Sequence, residues 1–144
     1  MRKIKFFFLL SLLLLASCSN ELPKENDVID IKENRSYEEI SSLLIIWEDR
    51  FLQDKELYFV YIFSKSCNHC ESFKDEIIYY ALDKTLPIYF CEFFDSISIC
   101  DDLYDMSNCI LGTPSLLEII NQEMKDNIAG VSKIRERLSI FIND

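Results

Sequence analysis

Two glycines and three prolines are all that punctuate 144 residues, and no segment repeats. Collagen-like sequence, solenoids and long disorder are therefore excluded. Basic residues are in deficit, 15 Lys and Arg against 25 Asp and Glu for a formal charge of −10. Nothing offers a basic stripe to phosphate, so no nucleic-acid partner is expected. The apolar run from Phe6 to Ala16 is too short to span a bilayer comfortably. What is present is enough apolar and aromatic sequence for one real core, hence one domain with small attachments.

The first attachment is at the start. Arg2, Lys3 and Lys5 lead into Phe6–Ala16, the arrangement of a secretory signal over residues 1–17. Leu15-Ala16-Ser17-Cys18 resembles the bacterial lipobox, which implies cleavage before Cys18 and thioether lipidation of its sulfur. An ordinary secretion signal whose cleavage region contains a cysteine is the alternative. Removing residues 1–17 takes the formal charge from −10 to −13. An acidic body on a lipid tether is held off an anionic membrane surface. Two acyl chains would anchor it stably, whereas one would bind only marginally. The location this implies is the extracytoplasmic face of a bacterial cell membrane, where disulfides persist.

Residues 18–35 read as a polar tether containing Pro23, with at most a short edge strand at Val28–Ile31. Ser36 and Glu39 form a capping-box pattern, and Ile40, Leu43, Leu44 and Trp47 follow at helical spacing. These predict one helix from about Tyr37 to Leu52. Glu56–Phe63 is apolar on both faces and predicts a buried central strand. Glu71–Asp83 is helical in pattern, with Phe73, Ile77, Tyr80 and Ala81 on one face and Lys74, Asp75 and Asp83 left for solvent. Pro87 opens a second strand through Phe93. Asp95–Asn108 suggests a short helix around residues 101–106. Leu116–Ile120 is a strand, Asn121–Asp126 is turn-like, and Asn127–Ala129 is the returning strand of a hairpin that stops at Gly130. Val131, Ile134, Leu138 and Phe141 then mark the inner face of a final helix. Strands separated by helices imply crossover connections and a sheet covered on both faces.

The segment Ser64-Lys65-Ser66-Cys67-Asn68-His69-Cys70 sits where the first strand gives way to a helix. Two thiols three positions apart can close a small disulfide, and the N–H groups opening the helix favour a thiolate on the first. The same tetrapeptide could be half of a zinc site, a plain structural disulfide or a chance pairing. Covalent haem attachment is disfavoured because Glu71, not His, follows Cys70.

Taken together, SKSCNHC at this junction, GTPS (Gly112–Ser115) before a strand and hairpin, and the terminal AGVSKIRERL resemble a thioredoxin-like α/β fold over residues 36–144. The resemblance implies a central mixed β-sheet flanked by helices, with a C-terminal β-hairpin and helix. It also implies that Pro114 is cis and lies across from the thiols, where Thr113 could meet an extended client by strand-like hydrogen bonds. The residues alone leave a trans proline in an ordinary loop open. On the family pattern Cys67 is the exposed nucleophile and Cys70 the resolving thiol. His69, the lone histidine, would stabilise the Cys67 thiolate and make the disulfide a stronger oxidant, or would be a solvated side chain that tunes nothing. The expected partners are protein thiol or disulfide clients, a recharging redox partner and the membrane through the lipid, with no cofactor and no metal.

Three departures qualify the resemblance. Ser66 stands where many relatives carry Trp and could serve instead as an N-cap, and no proline lies inside the motif. Tyr61 occupies the place of a buried acid, so no general base for Cys70 carries over, although Glu92 is a candidate. Of the remaining cysteines, Cys100 and Cys109 could form a structural disulfide. They could not do so across an unbroken helix, since nine residues rise about 13 Å while the Cα atoms must approach within about 7 Å. Cys91, in mid-strand, reads as a small buried hydrophobe. Two rival functions follow: a non-catalytic docking lipoprotein that keeps the fold, and zinc binding by Cys67, Cys70 and two later cysteines, which lack a second C-x-x-C.

Overall fold

The computed structural model describes residue 31 and residues 33–93 and 112–142. The signal segment, Cys18, most of the tether, the 95–108 stretch with Cys100, and Cys109 just after it lie outside the described residues.

The sheet is built outward from β1 (Leu57–Phe63), whose last six residues are buried. It is apolar on both faces because it is central. On one side it pairs in parallel with β2 (Ile88–Glu92), and on the other it runs antiparallel to β3 (Ser115–Ile120). A hairpin brings in β4 (Glu123–Ala129), for an order β2-β1-β3-β4. Alternation along β1 divides the core in two. Phe59, Tyr61 and Phe63 face α1 (Asn68–Leu82) and α2 (Val131–Ile142), packing with Phe73, Ile77, Ile134 and Leu138. Tyr58, Val60 and Ile62 face the other way, with Trp47, Cys91, Leu117 and Ile119. Ile77, Ile134, Phe59 and Tyr61 are wholly buried, each worth about 1.5–3 kcal/mol in apolar area removed from water. Among the described residues no helix is long and apolar enough to cross a membrane.

The expected single helix over 37–52 is instead two short 3-10 helices, Tyr37–Leu43 and Trp47–Phe51. The capping box is present as expected, with Ser36 and Glu39 each bonding the other's backbone. The break has a cause. Ile40 packs in the core beneath α1, whereas Trp47 packs in the core on the opposite face of the sheet. No straight helix can serve both faces, so the chain crosses the sheet edge extended, Leu44 bridging in parallel to Phe90 and the Ile45 N–H donating to the Phe90 carbonyl at 2.8 Å.

The hairpin turn is also tighter than the sequence suggests. Only Asn121 and Gln122 turn, at φ 52° and 64°, and β4 begins at Glu123, where a longer polar turn is predicted from the residues. β4 is the sheet edge and five of its residues carry polar or small side chains half or fully out in solvent, so it lacks the alternation that marks a half-buried strand. Asp75 and Asp83, read as solvent-facing, hold the incoming chain on α1. The Asp75 carboxylate accepts from the Asn34 and Arg35 N–H groups at 3.0 and 2.9 Å, and the buried Arg35 guanidinium pairs with Asp83 and Glu39.

Candidate active site

β1 ends at Phe63 and the chain turns through Ser64–Ser66, where the two serine hydroxyls lie 2.9 Å apart. Helix α1 then begins with Cys67 as its N-cap, its Sγ accepting from the Cys70 N–H at 3.1 Å. The cap is thus the cysteine and not Ser66, and a sulfur takes the place usually held by a hydroxyl or carboxylate oxygen. After reduction the same N–H groups and the positive end of the helix favour negative charge on Cys67.

The two sulfurs are joined in a disulfide, with Cα atoms 5.2 Å apart. Their exposures differ: Cys67 is half-buried, whereas Cys70 is fully buried against the core beneath α1. One sulfur is therefore open to a partner and the other shielded, because helical spacing turns Cys70 inward with Phe73 and Ile77.

Opposite them lies the loop before β3. The Thr113–Pro114 bond is cis, and the Thr113 carbonyl oxygen sits 3.4 Å from Cys67 Sγ, an acceptor for the Cys67 thiol when the pair is reduced. Gly112 adopts φ 145°, which favours glycine. The Ser115 hydroxyl donates to the Gly112 carbonyl at 2.6 Å, and the Gly130 N–H donates to the Pro114 carbonyl at 3.0 Å, tying the loop to the end of β4. Ser64, Lys65, Ser66, Cys67, Glu92, Phe93 and Thr113 together line one open groove.

His69 is exposed on the first turn of α1, and its backbone carbonyl accepts from the Ser72 hydroxyl at 2.9 Å. Glu92 lines the groove beside Cys67 and pairs with Lys65 at 3.1 Å. That ion pair carries no mark in the sequence, because it depends on the register that sets Phe63 beside Glu92. Cys91 is a buried free thiol on the sheet face opposite Cys70, and burial pushes it up to about 11. It thus stands apart from the Cys67–Cys70 pair, against the zinc arrangement that would recruit it. Among the described residues no three His, Cys, Asp or Glu side chains converge as metal ligands.

Two tyrosines behind the disulfide were not legible as a pair. Tyr37 stacks on Phe63 with ring centroids 4.2 Å apart, and Tyr61 packs beside Phe63 and Phe73 at 6.2 and 6.1 Å. Both hydroxyls are buried without a hydrogen-bond partner among the described residues. Burial raises both phenols above their ordinary value, Tyr37 further through the carboxylates of Glu71 and Glu92.

No family model matches the chain, and no curated protein matches it. Among solved structures it is similar to Chlamydomonas reinhardtii thioredoxin f2, at 15% identity over 70% of this chain and 94% of that chain, with a TM-score of 0.50. It is also similar to a putative oxidoreductase with a thioredoxin fold, at 13% identity over 76% of this chain and all (100%) of that one, with a TM-score of 0.54. With its mixed four-stranded sheet and the helix that opens on the cysteine pair, the chain adopts the thioredoxin fold.

Proposed function

We propose that this protein is a membrane-anchored, extracytoplasmic thiol–disulfide oxidoreductase that exchanges disulfides with protein thiols through Cys67 and Cys70. The observation that carries this is the asymmetry of the pair: Cys67 opens onto a groove, 3.4 Å from the Thr113 carbonyl, while Cys70 is buried behind it. A client thiolate attacks Cys67 Sγ, the Cys67–Cys70 bond breaks and its electron pair leaves on Cys70 Sγ. A second client thiolate then attacks the client sulfur of the mixed disulfide and expels the Cys67 thiolate. The client departs oxidised and the protein is left as a dithiol, which a recharging partner reoxidises. Run backwards, the same steps reduce a client. Thr113 borders the groove where an extended client would lie, with the buried cis-Pro114 next to it in the chain, and strand-like pairing with that loop would align the client.

The roles of the two cysteines separate in a trapping experiment. Cys70→Ser accumulates covalent client adducts that reductant releases, whereas Cys67→Ser accumulates none. Equal adducts from both variants would overturn the assignment. The anchor is supported by the lipobox-like Leu15–Cys18. Expressed in a bacterium, the protein takes up labelled fatty acid and partitions with membranes, and Cys18→Ala does neither. Label retained by Cys18→Ala would remove the anchor from the proposal.

A further inference from the structure

Of the two tyrosines behind the disulfide whose buried hydroxyls are unpartnered among the described residues, Tyr61 is the one whose whole side chain is buried. Leaving such a group unsatisfied costs about 1–3 kcal/mol, and Phe would fill the same space without that cost. The question is what acceptor it meets, and in which state. Tyr61 lies in the same core cluster as Cys70, its ring 6.1 Å from Phe73, one turn along α1 from Cys70. In the disulfide form the hydroxyl meets no acceptor among the described residues. Reduction creates one, because the bond's electron pair arrives on Cys70 Sγ inside this apolar cluster.

We infer that Tyr61 is a positioning residue for the leaving sulfur, donating its hydrogen bond, directly or through one bridging water, to the Cys70 thiolate formed when Cys67 is attacked. This rests on the Cys67–Cys70 pair exchanging disulfides as proposed above. The phenol does not act as a base: burial holds its proton more tightly than usual, so it stays a neutral donor. A donor that serves only the reduced form stabilises that form and makes the disulfide a stronger oxidant. Tyr37 has the other orphaned hydroxyl, but its side chain as a whole is only partly buried and lies near the carboxylates of Glu71 and Glu92.

The test equilibrates the full chain and Tyr61→Phe with glutathione buffers and reads the oxidised fraction of Cys67–Cys70 by alkylation and peptide mass. The variant is expected to be about tenfold harder to reduce, or about 30 mV more reducing for a two-electron couple. An unchanged couple, or a shift the other way, overturns the inference while a wild type that titrates leaves the oxidoreductase reading standing. A wild-type pair that never titrates refutes both. Should Tyr61→Phe fail to fold, the hydroxyl proton of Tyr61 in the wild-type protein decides by NMR. It is expected to move downfield and exchange more slowly on reduction, and an identical resonance in both states overturns the inference.

Discussion

Replacing Arg137 by Met removes one partner of a buried ion pair and little else. Glu118 is 4% exposed in the interior strand β3, and Arg137 of α2 holds both its oxygens, Nε to Oε2 at 2.8 Å and Nη2 to Oε1 at 2.6 Å. Met preserves the apolar stem that reaches toward Phe141 but withdraws the charge. Stripping the partner from a buried charge costs about 3–5 kcal/mol. Arg137 is itself 34% exposed, so water can partly replace it and the low end, about 3 kcal/mol, applies. A domain of about 110 residues unfolds with an entropy of about 0.23 kcal/mol/K, which converts that loss to about 13 °C in Tm. Calorimetry at pH 7 reads the shift directly. Arg137→Met combined with Glu118→Leu removes both charges and should recover most of the loss, since an apolar pair of similar volume is nearly neutral. A single variant melting within about 3 °C of wild type, or a double variant no better than the single, would show that the pair is not a buried one in energetic terms.

Cys91 should resist iodoacetamide at pH 8 in the native protein and react on denaturation, and equal labelling in both states would contradict its burial. Its folded value of about 11 lies above the unfolded 9.0, so the folded state holds the proton more tightly. The stability this contributes is full below about pH 9 and is lost as pH rises toward 11, with the raised phenols of Tyr37, Tyr61 and Tyr80 acting in the same sense. A urea midpoint that climbs over that interval would contradict the sign. Gln122→Gly should raise stability by about 0.5–1 kcal/mol, because Gln122 sits at φ 64° in a two-residue turn that favours glycine; an unchanged urea midpoint counts against it. His69→Ala should make the Cys67–Cys70 couple more reducing against glutathione, and an unchanged or raised potential would assign His69 to solvent.

Local patterns in the sequence carried the elements whose cause is local. The run Leu57–Phe63 had to be central because no face of it could meet water, and the 3.6 spacing of Val131, Ile134, Leu138 and Phe141 had to form a helix against something apolar. The expectations that failed are those where a distant element decides. Ile40, Leu43, Leu44 and Trp47 fit one helical face, yet the sheet claims Ile40 and Trp47 from opposite sides, and nothing within 37–52 records that. Likewise β4 is a strand because β3 offers it hydrogen bonds and not because Glu123–Asn127 prefers to be extended.

The site divides the same way. Cys67 and Cys70 find each other through four residues of chain, so their pairing was open to inspection. Thr113 reaches them only through the sheet: the register sets Ser115 beside Ile62 and Leu116 beside Tyr61 in antiparallel strands, so the loop entering β3 and the loop leaving β1 emerge at one end. A slip of two residues would carry the Thr113 carbonyl about 7 Å along the strand, out of contact with Cys67, while leaving every side chain on its own face. Alternation alone cannot forbid that slip. What forbids it is fit, because on the α1 face Leu116 lies beside Tyr61 and Glu118 beside Phe59, where Arg137 of α2 holds the carboxylate, and a slip of two would carry Glu118 off that partner. The seating of β3 against β1 and α2 therefore sets the reach of the groove in front of the disulfide, and Glu118→Ala should weaken client trapping without touching either sulfur.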